Sequence, residues 1–338
     1  MTNHLRETIR KMAVAGKGIL AADESAKTAA KRLASINVES TPETRRQYRN
    51  LILNAKGMEE YICGVILFEE TLHQKSDDGI LFPELLAKSG IVPGIKVDEG
   101  LADLEGYPGE QCTKGLDTLG TRLEEYKKSK PGFAKWRAVY SISDNTPSDL
   151  IIKRNAQDLA KYAKICQQHD IVPIVEPEVL IDGAHSIGTC YKITDKVLKA
   201  VFHALKQENV EMEFTILKPS MVISGKQAAN RADVDEVARQ TVTCLKANVQ
   251  AELPSINFLS GGQTPEEATA HLNRMHTIGE ELPWHLSFSY GRALQDSALK
   301  TWQGKPENMP AGQKVFLKRA RLNSLATKGM YTEDMEKD

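Results

Sequence analysis

The chain has 338 residues, 41% of them hydrophobic and 26% charged, enough to bury one large core or two ordinary ones. Its 44 basic and 45 acidic residues leave a formal net charge of -1, so no overall field draws it to nucleic acid or a membrane surface. The 5 cysteines lie far apart with no C-x-x-C pair, which argues against a disulfide framework or a structural zinc site.

Residues 1–20 carry Arg6, Glu7, Arg10, Lys11 and Lys17 and lack the apolar stretch of a secretory leader, so a cytoplasmic chain without membrane insertion is expected. The first strand-like run is GILAADES (18–25), which ends in Asp23 and Ser25. Both residues belong to the class that caps helices, and a carboxylate there is also placed to hold a hydroxyl, act as a base or keep a lysine charged. Thr41-Pro42-Glu43 predicts a helix start with a threonine cap and proline at the first helical position. Strand-like runs follow at YICGVILFEE (61–70), GIVPGIKVD (90–98) and FAKWRAVYSI (133–142), with a helical segment RLEEYKKSK (122–130) between the last two. The second half supplies the runs IVPIVEPEV (171–179), MEFTILKPSMV (212–222), SINFLSGG (255–262) and WHLSFSYGR (284–292). Helical periodicity marks DLAKYAKICQQ (158–168) and TDKVLKAVFHALKQ (194–207), and Thr264 with Glu267 reads as a capping box.

Eight short Val/Ile-rich runs, each followed by a helix-forming stretch and none by a linker, predict a single (β/α)8 barrel over 1–338, with a short C-terminal tail from about 325. An open doubly wound sheet would carry a glycine-rich phosphate turn after its first strand, and none is present. The barrel also explains why charged residues sit late in the strands, because barrel enzymes react at the C-terminal mouth.

Residues i and i+2 of a strand face the same way, so Lys96 with Asp98, Lys135 with Arg137, and Glu176 with Glu178 each aim two charges at one place. Charges inside apolar strands are costly unless paired or working. Lys218 lies in TILKPSM, just before Pro219, which interrupts the ladder. Burial and neighbouring cations would lower its pKa and free a neutral amine to attack a ketone. Such chemistry needs a proton shuttle, and paired glutamates among lysines suit it; charge balancing of Lys135, Arg137 and Lys218 is the plainer alternative. The last two strands end in LSGGQ (259–263) and FSYGR (288–292). Gly261 and Gly262 allow close backbone approach, Ser260 and Ser289 add hydroxyls, and Arg292 can grip a phosphate bidentately. His271 and His276 are five apart and would not share a helix face, and no tight metal-ligand spacing occurs, so no metal is expected. The residues alone point to a metal-independent barrel enzyme using a lysine on a phosphorylated carbonyl compound.

The segments GKGILAADES, GVILFEETL, GIKVD, FAKWR, CQQHDIVPIVEPE, LKPSMV, FLSGGQ and LSFSYGRALQ, spread from Gly16 to about Lys300, closely resemble class I (Schiff-base) fructose-bisphosphate aldolase. The resemblance implies a glycolytic lyase, usually a homotetramer, that cleaves fructose 1,6-bisphosphate to dihydroxyacetone phosphate and glyceraldehyde 3-phosphate without metal or other cofactor. It makes Lys218 the Schiff-base nucleophile, Glu176 the main general acid/base and Glu178 its tuning neighbour. Asp23 would position the substrate C4 hydroxyl, and Lys135, with Arg137 beside it, would stabilise charge; Lys96 shares the mouth. Ser260, Gly261, Ser289, Gly291 and Arg292 match the ketone-side phosphate site, with Gly262 next to it. Ser25, Thr28, Lys31 and Arg32 match the region holding the aldehyde-side phosphate. Many members begin earlier in sequence and continue past the segment like Lys328–Thr332 into a tail ending in tyrosine, which Tyr331 does not match. Two other readings are a scaffold for actin or adhesin tails, as family members can be, and a different lysine-dependent barrel aldolase such as one for deoxyribose phosphate. The latter needs one phosphate site, and this chain carries two candidate sites.

Overall fold

The computed structural model describes residues 2–337. Its strands, in chain order, are β1 (Gly18–Ala22), β2 (Ile62–Leu67), β3 (Val92–Lys96), β4 (Leu101–Asp103), β5 (Gln111–Thr113), β6 (Phe133–Tyr140), β7 (Val172–Val179), β8 (Ile216–Leu217), β9 (Ser255–Phe258) and β10 (His285–Tyr290). Eight of them pair in parallel and close on themselves in the order β1-β10-β9-β8-β7-β6-β3-β2, so the predicted (β/α)8 barrel is the fold. The remaining two, β4 and β5, form a small antiparallel hairpin that the sequence reading did not anticipate. It lies in the stretch between β3 and β6, and Gly100 and Leu101 at its start become part of the cavity wall.

The helix starts follow the expected chemistry. Thr41 caps the helix Pro42–Leu53 through Thr44 N at 3.1 Å, and Thr264 with Glu267 forms the capping box of the helix Pro265–Thr277. The segments 158–168 and 194–207 lie within longer helices, Asp149–Gln168 and Ile187–Gln207. Two expectations need correction. The run 122–130 is helical only to Tyr126 and finishes in a tighter turn, Lys127–Ser129. The run 212–222 is mostly not strand: Met212–Phe214 is a 3-10 turn, and β8 keeps two residues before Lys218 and Pro219 leave the ladder.

Strand alternation sorts the barrel interior into two layers. Ile19 and Ala21, Val92, Phe133, Val172 and Ile174, and Phe214 and Ile216 join one buried apolar cluster inside the barrel. One or two alternate positions further along, within the strands or just past their ends, come Asp23, Lys96, Lys135, Glu176 and Lys218. The chain therefore plugs the lower barrel with hydrocarbon and crowns the plug with charge. The plug is tight: a Cβ on Gly94 would lie 2.2 Å from Cε2 of Phe133, so β3 needs glycine there to pass the ring. The outward faces of the strands, including Leu20, Trp136, Tyr140 and Val175, pack under the helices in a larger cluster.

Candidate active site

The crown of charges opens into a cavity of about 640 Å³ at the C-terminal mouth of the barrel. Lys135 is its hub. Only 2% exposed, its ammonium lies 2.7 Å from Asp23 Oδ2, 3.3 Å from Glu176 Oε2 and 3.5 Å from Asp98 Oδ2. Burial disfavours the charged amine, but these three carboxylates outweigh that and raise the Lys135 pKa above its usual range. Burial likewise pushes the Asp23 carboxyl up, yet Lys135, Lys218 and Lys96 together hold it well below the usual carboxylate range. Asp98 behaves the same way, with burial opposed by Lys135 and by Lys96, whose Nζ is 2.6 Å from Asp98 Oδ1.

Lys218, 3% exposed, stands 3.1 Å from Glu176 Oε1. Its backbone N–H donates to Val175 O at 2.8 Å, so β7 holds both the amine and the carboxylate on adjacent strands. Glu176 Oε2 is buried and, although near Lys135, accepts no well-directed hydrogen bond. One glutamate oxygen thus faces the Lys218 amine and the other faces the Lys135 ammonium. Glu178 instead pairs with Arg137 Nε, and the guanidinium pKa is raised because Glu178 and Glu176 outweigh its burial. The two glutamates, expected as a pair, are thus divided: one serves Lys218 and Lys135, the other Arg137.

The cavity wall also contains Ser25, Thr28, Arg32, Lys96, Arg137, Ser260, Gly261, Ser289, Gly291 and Arg292. Ser25 caps the helix Ala26–Ala34, its hydroxyl accepting from Thr28 N at 3.3 Å. The capping and site readings of Ser25 therefore coexist. Gly261 and Gly262 take φ of +53° and +88°, a turn that glycine adopts without strain. Lys31 is exposed and, like Gly262, is not brought into the wall itself. His271 and His276 are engaged elsewhere, with Gln263 Oε1 at 2.7 Å and Leu286 O at 3.0 Å respectively. Tyr331 is buried against the tail, with its hydroxyl 3.0 Å from Glu336 Oε1, outside the cavity.

A family model for "Fructose-bisphosphate aldolase class-I" matches residues 4–338. The chain belongs to that family. It is 52% identical over 328 residues to a probable fructose-bisphosphate aldolase class 1 of Xanthomonas axonopodis pv. citri, covering 97% of this chain and 98% of the relative. It is 50% identical over 321 residues to the cytosolic fructose-bisphosphate aldolase 4 of Arabidopsis thaliana, covering 95% of this chain and 82% of that one. A solved fructose-bisphosphate aldolase from Plasmodium falciparum, in complex with TRAP and a small-molecule inhibitor, superposes with a TM-score of 0.95 at 48% identity, covering 98% of this chain and 95% of that one.

Within this class I aldolase framework, sequence reasoning overlooked the group that sets Arg32. Glu24, 8% exposed, bridges Arg49 Nη1 at 2.5 Å and Arg32 Nη2 at 2.9 Å. Gln295 joins it at 3.2 Å and donates to Ala21 O at 2.6 Å, tying β1 to the helix Arg292–Trp302. Arg32 Nη2 consequently reaches within 3.7 Å of where a Cβ would stand on Gly291, at the end of β10. The signal was present in AADES, but Glu24 faces the opposite way from Asp23 and reads as an ordinary acidic neighbour. Glu24→Gln should lower stability by about 3 kcal/mol, because it strands the Arg49 guanidinium, itself 3% exposed, without its anion. Urea unfolding checks this; a loss below about 1 kcal/mol, the scale of an exposed pair, would contradict the account.

Proposed function

We propose that this chain cleaves fructose 1,6-bisphosphate reversibly to dihydroxyacetone phosphate and glyceraldehyde 3-phosphate, through a Schiff base on Lys218 and without metal. The observation that carries this reading is the buried Lys218 amine 3.1 Å from Glu176 Oε1, with Lys135 3.3 Å from the second oxygen of the same glutamate. Family membership supplies the substrate and the reaction.

Each step then has a group in reach. Lys218 Nζ attacks the C2 carbonyl, and its proton passes to the developing alkoxide to give a carbinolamine. Glu176 protonates the departing hydroxyl, water leaves, and an iminium remains on Lys218. The C4 hydroxyl, positioned by Asp23, gives its proton to Glu176, left as a carboxylate by the previous step, as the C3–C4 bond breaks; the aldehyde leaves and the bonding pair becomes an enamine on Lys218. Glu176 returns that proton to C3, and water adds to the resulting iminium at C2, so that dihydroxyacetone phosphate leaves and the Lys218 amine is restored. Lys135 stays charged throughout because its carboxylate neighbours hold its pKa up, so it offers a fixed positive charge to the anionic stages. Ser260, Gly261, Ser289, Gly291 and Arg292 would take the ketone-side phosphate, while Ser25, Thr28 and Arg32 would take the other, with Lys96 at the same mouth; Lys31 and Gly262 would act from outside the wall.

Borohydride should trap dihydroxyacetone phosphate on Lys218 by mass spectrometry, and turnover of fructose 1,6-bisphosphate and fructose 1-phosphate should survive EDTA. No adduct at Lys218, or loss of turnover with chelator, would defeat the reading.

A single domain over 1–338 with a tail from about 325, a homotetramer and a cytoplasmic setting complete the proposal. The cytosolic Arabidopsis relative supports the last of these, and gel filtration tests the tetramer. An actin or adhesin-tail partner is a second expectation, and the solved Plasmodium relative is in complex with TRAP. Retained pull-down of such a partner by Lys218→Met, with negligible cleavage by the unmutated chain, would favour a scaffold over an enzyme.

A further inference from the structure

Eight residues beyond Lys218, the chain returns to the barrel mouth at Lys226. Its backbone is fixed there by the loop after β7. Gly225 N donates to His185 O at 2.9 Å, Lys226 N to Ile181 O at 2.9 Å, and Gln227 N to Gly183 O at 3.0 Å. Gln227 Oε1 accepts from Gly183 N at 2.6 Å, and a Cβ on Gly225 would stand 2.2 Å from Gly183 O. Lys226 therefore leaves a braced backbone, although its side chain is exposed.

That side chain reaches the glycine turn after β9. Lys226 Nζ lies 2.7 Å from where a Cβ would stand on Gly262, and Arg292 Nη2 lies 3.4 Å from the same point. Two cations thus flank one glycine; among the described residues neither forms an ion pair within 4.0 Å, although Arg292 acts on Asp296 at longer range. Like charges side by side repel unless an anion joins them. A second, independent sign of an anion comes from Ser289. Its hydroxyl lines the adjoining cavity, is 1% exposed and has no hydrogen-bond partner. The left-handed turn at Gly261 and Gly262 adds backbone that can face such a ligand.

We infer that Lys226 is a phosphate-affinity residue, a second cation at the rim of the ketone-side phosphate site, acting with Arg292 across Gly262. The inference rests on the aldolase reading and extends it to a residue outside the cavity wall. A rim charge contributes to capture of the phosphate and not to the bond changes at C2–C4, so its effect belongs in KM.

The test is steady-state kinetics of the full chain with Lys226→Met and Lys226→Arg. Lys226→Met should raise KM for both fructose 1,6-bisphosphate and fructose 1-phosphate by about three- to tenfold, with kcat within about twofold. Lys226→Arg should restore KM, and the rise of KM with salt should be shallower in Lys226→Met. Unchanged KM in a variant that still turns over would overturn the role of Lys226 alone, as would a fall confined to kcat. Failure of the unmutated chain to cleave either sugar, or to form the Lys218 adduct, would overturn the aldolase reading and this inference together.

Discussion

Lys218→Met should reduce cleavage of fructose 1,6-bisphosphate by about 10^5-fold and abolish the borohydride adduct, while the protein still folds. Methionine matches the length of the lysine stem but has no nucleophile, so no binding effect can substitute for the lost covalent step. The fold should persist because the substitution removes the buried amine without leaving its partner alone: Glu176 keeps Lys135 at 3.3 Å. Circular dichroism and thermal unfolding separate the two effects. Residual turnover within about tenfold of the unmutated chain would require a different nucleophile.

Lys135→Met should be damaging in another way. Three buried or nearly buried carboxylates, Asp23, Asp98 and Glu176, converge on this one ammonium. Removing it leaves like charges facing one another, with an expected stability loss of about 3–5 kcal/mol at neutral pH. The sign with pH follows from the direction of the shifts. In the unmutated chain the Asp23 and Asp98 pKa values are depressed, so their contribution is present above the ordinary carboxylate range and is lost as pH falls through the folded values. Without Lys135 the burial of Asp23 meets less opposition and its pKa rises. The difference between the two proteins should therefore be largest at neutral pH and narrow toward pH of about 4, where the carboxyls can neutralise. Turnover should also fall by about 10^3-fold, since the fixed positive charge facing the anionic stages is gone. Denaturant unfolding at several pH values checks the first part; a loss that grows toward acid would refute the charge-hub account.

Much of the site could be read from the residues because period-two alternation is a local rule. Lys96, Lys135, Arg137, Glu176, Glu178 and Lys218 each follow an apolar run at the spacing that points them inward, and no knowledge of the neighbouring strand is needed. Which charge meets which is a property of closure. That Lys135 bonds Asp23 from β1's end while Arg137 takes Glu178 depends on the stagger between strands, which no single segment encodes. Irregular chain was less legible still. The β4–β5 hairpin, the shortened β8, and the return of residues 218–227 to the barrel mouth arise from long-range packing, so the lining by Leu101 and the approach of Lys226 had no periodic signal. Glu24 was obscured by Asp23 beside it, and its work is done through Arg49 and Arg32, which come from two different helices.

The hydrocarbon plug and the charged crown occupy the same strands on the same face, so they share one reading frame. Inserting or deleting a single residue early in β6 would turn Ala134 and Trp136 inward where Phe133 and Lys135 now point. Folding and reactivity would be lost in one event, with no intermediate variant that keeps either. Change in this barrel is consequently channelled into the connections. Length variation is tolerable in segments such as the polar stretch between the helix Pro265–Thr277 and β10, while the strands themselves admit substitution but not slippage.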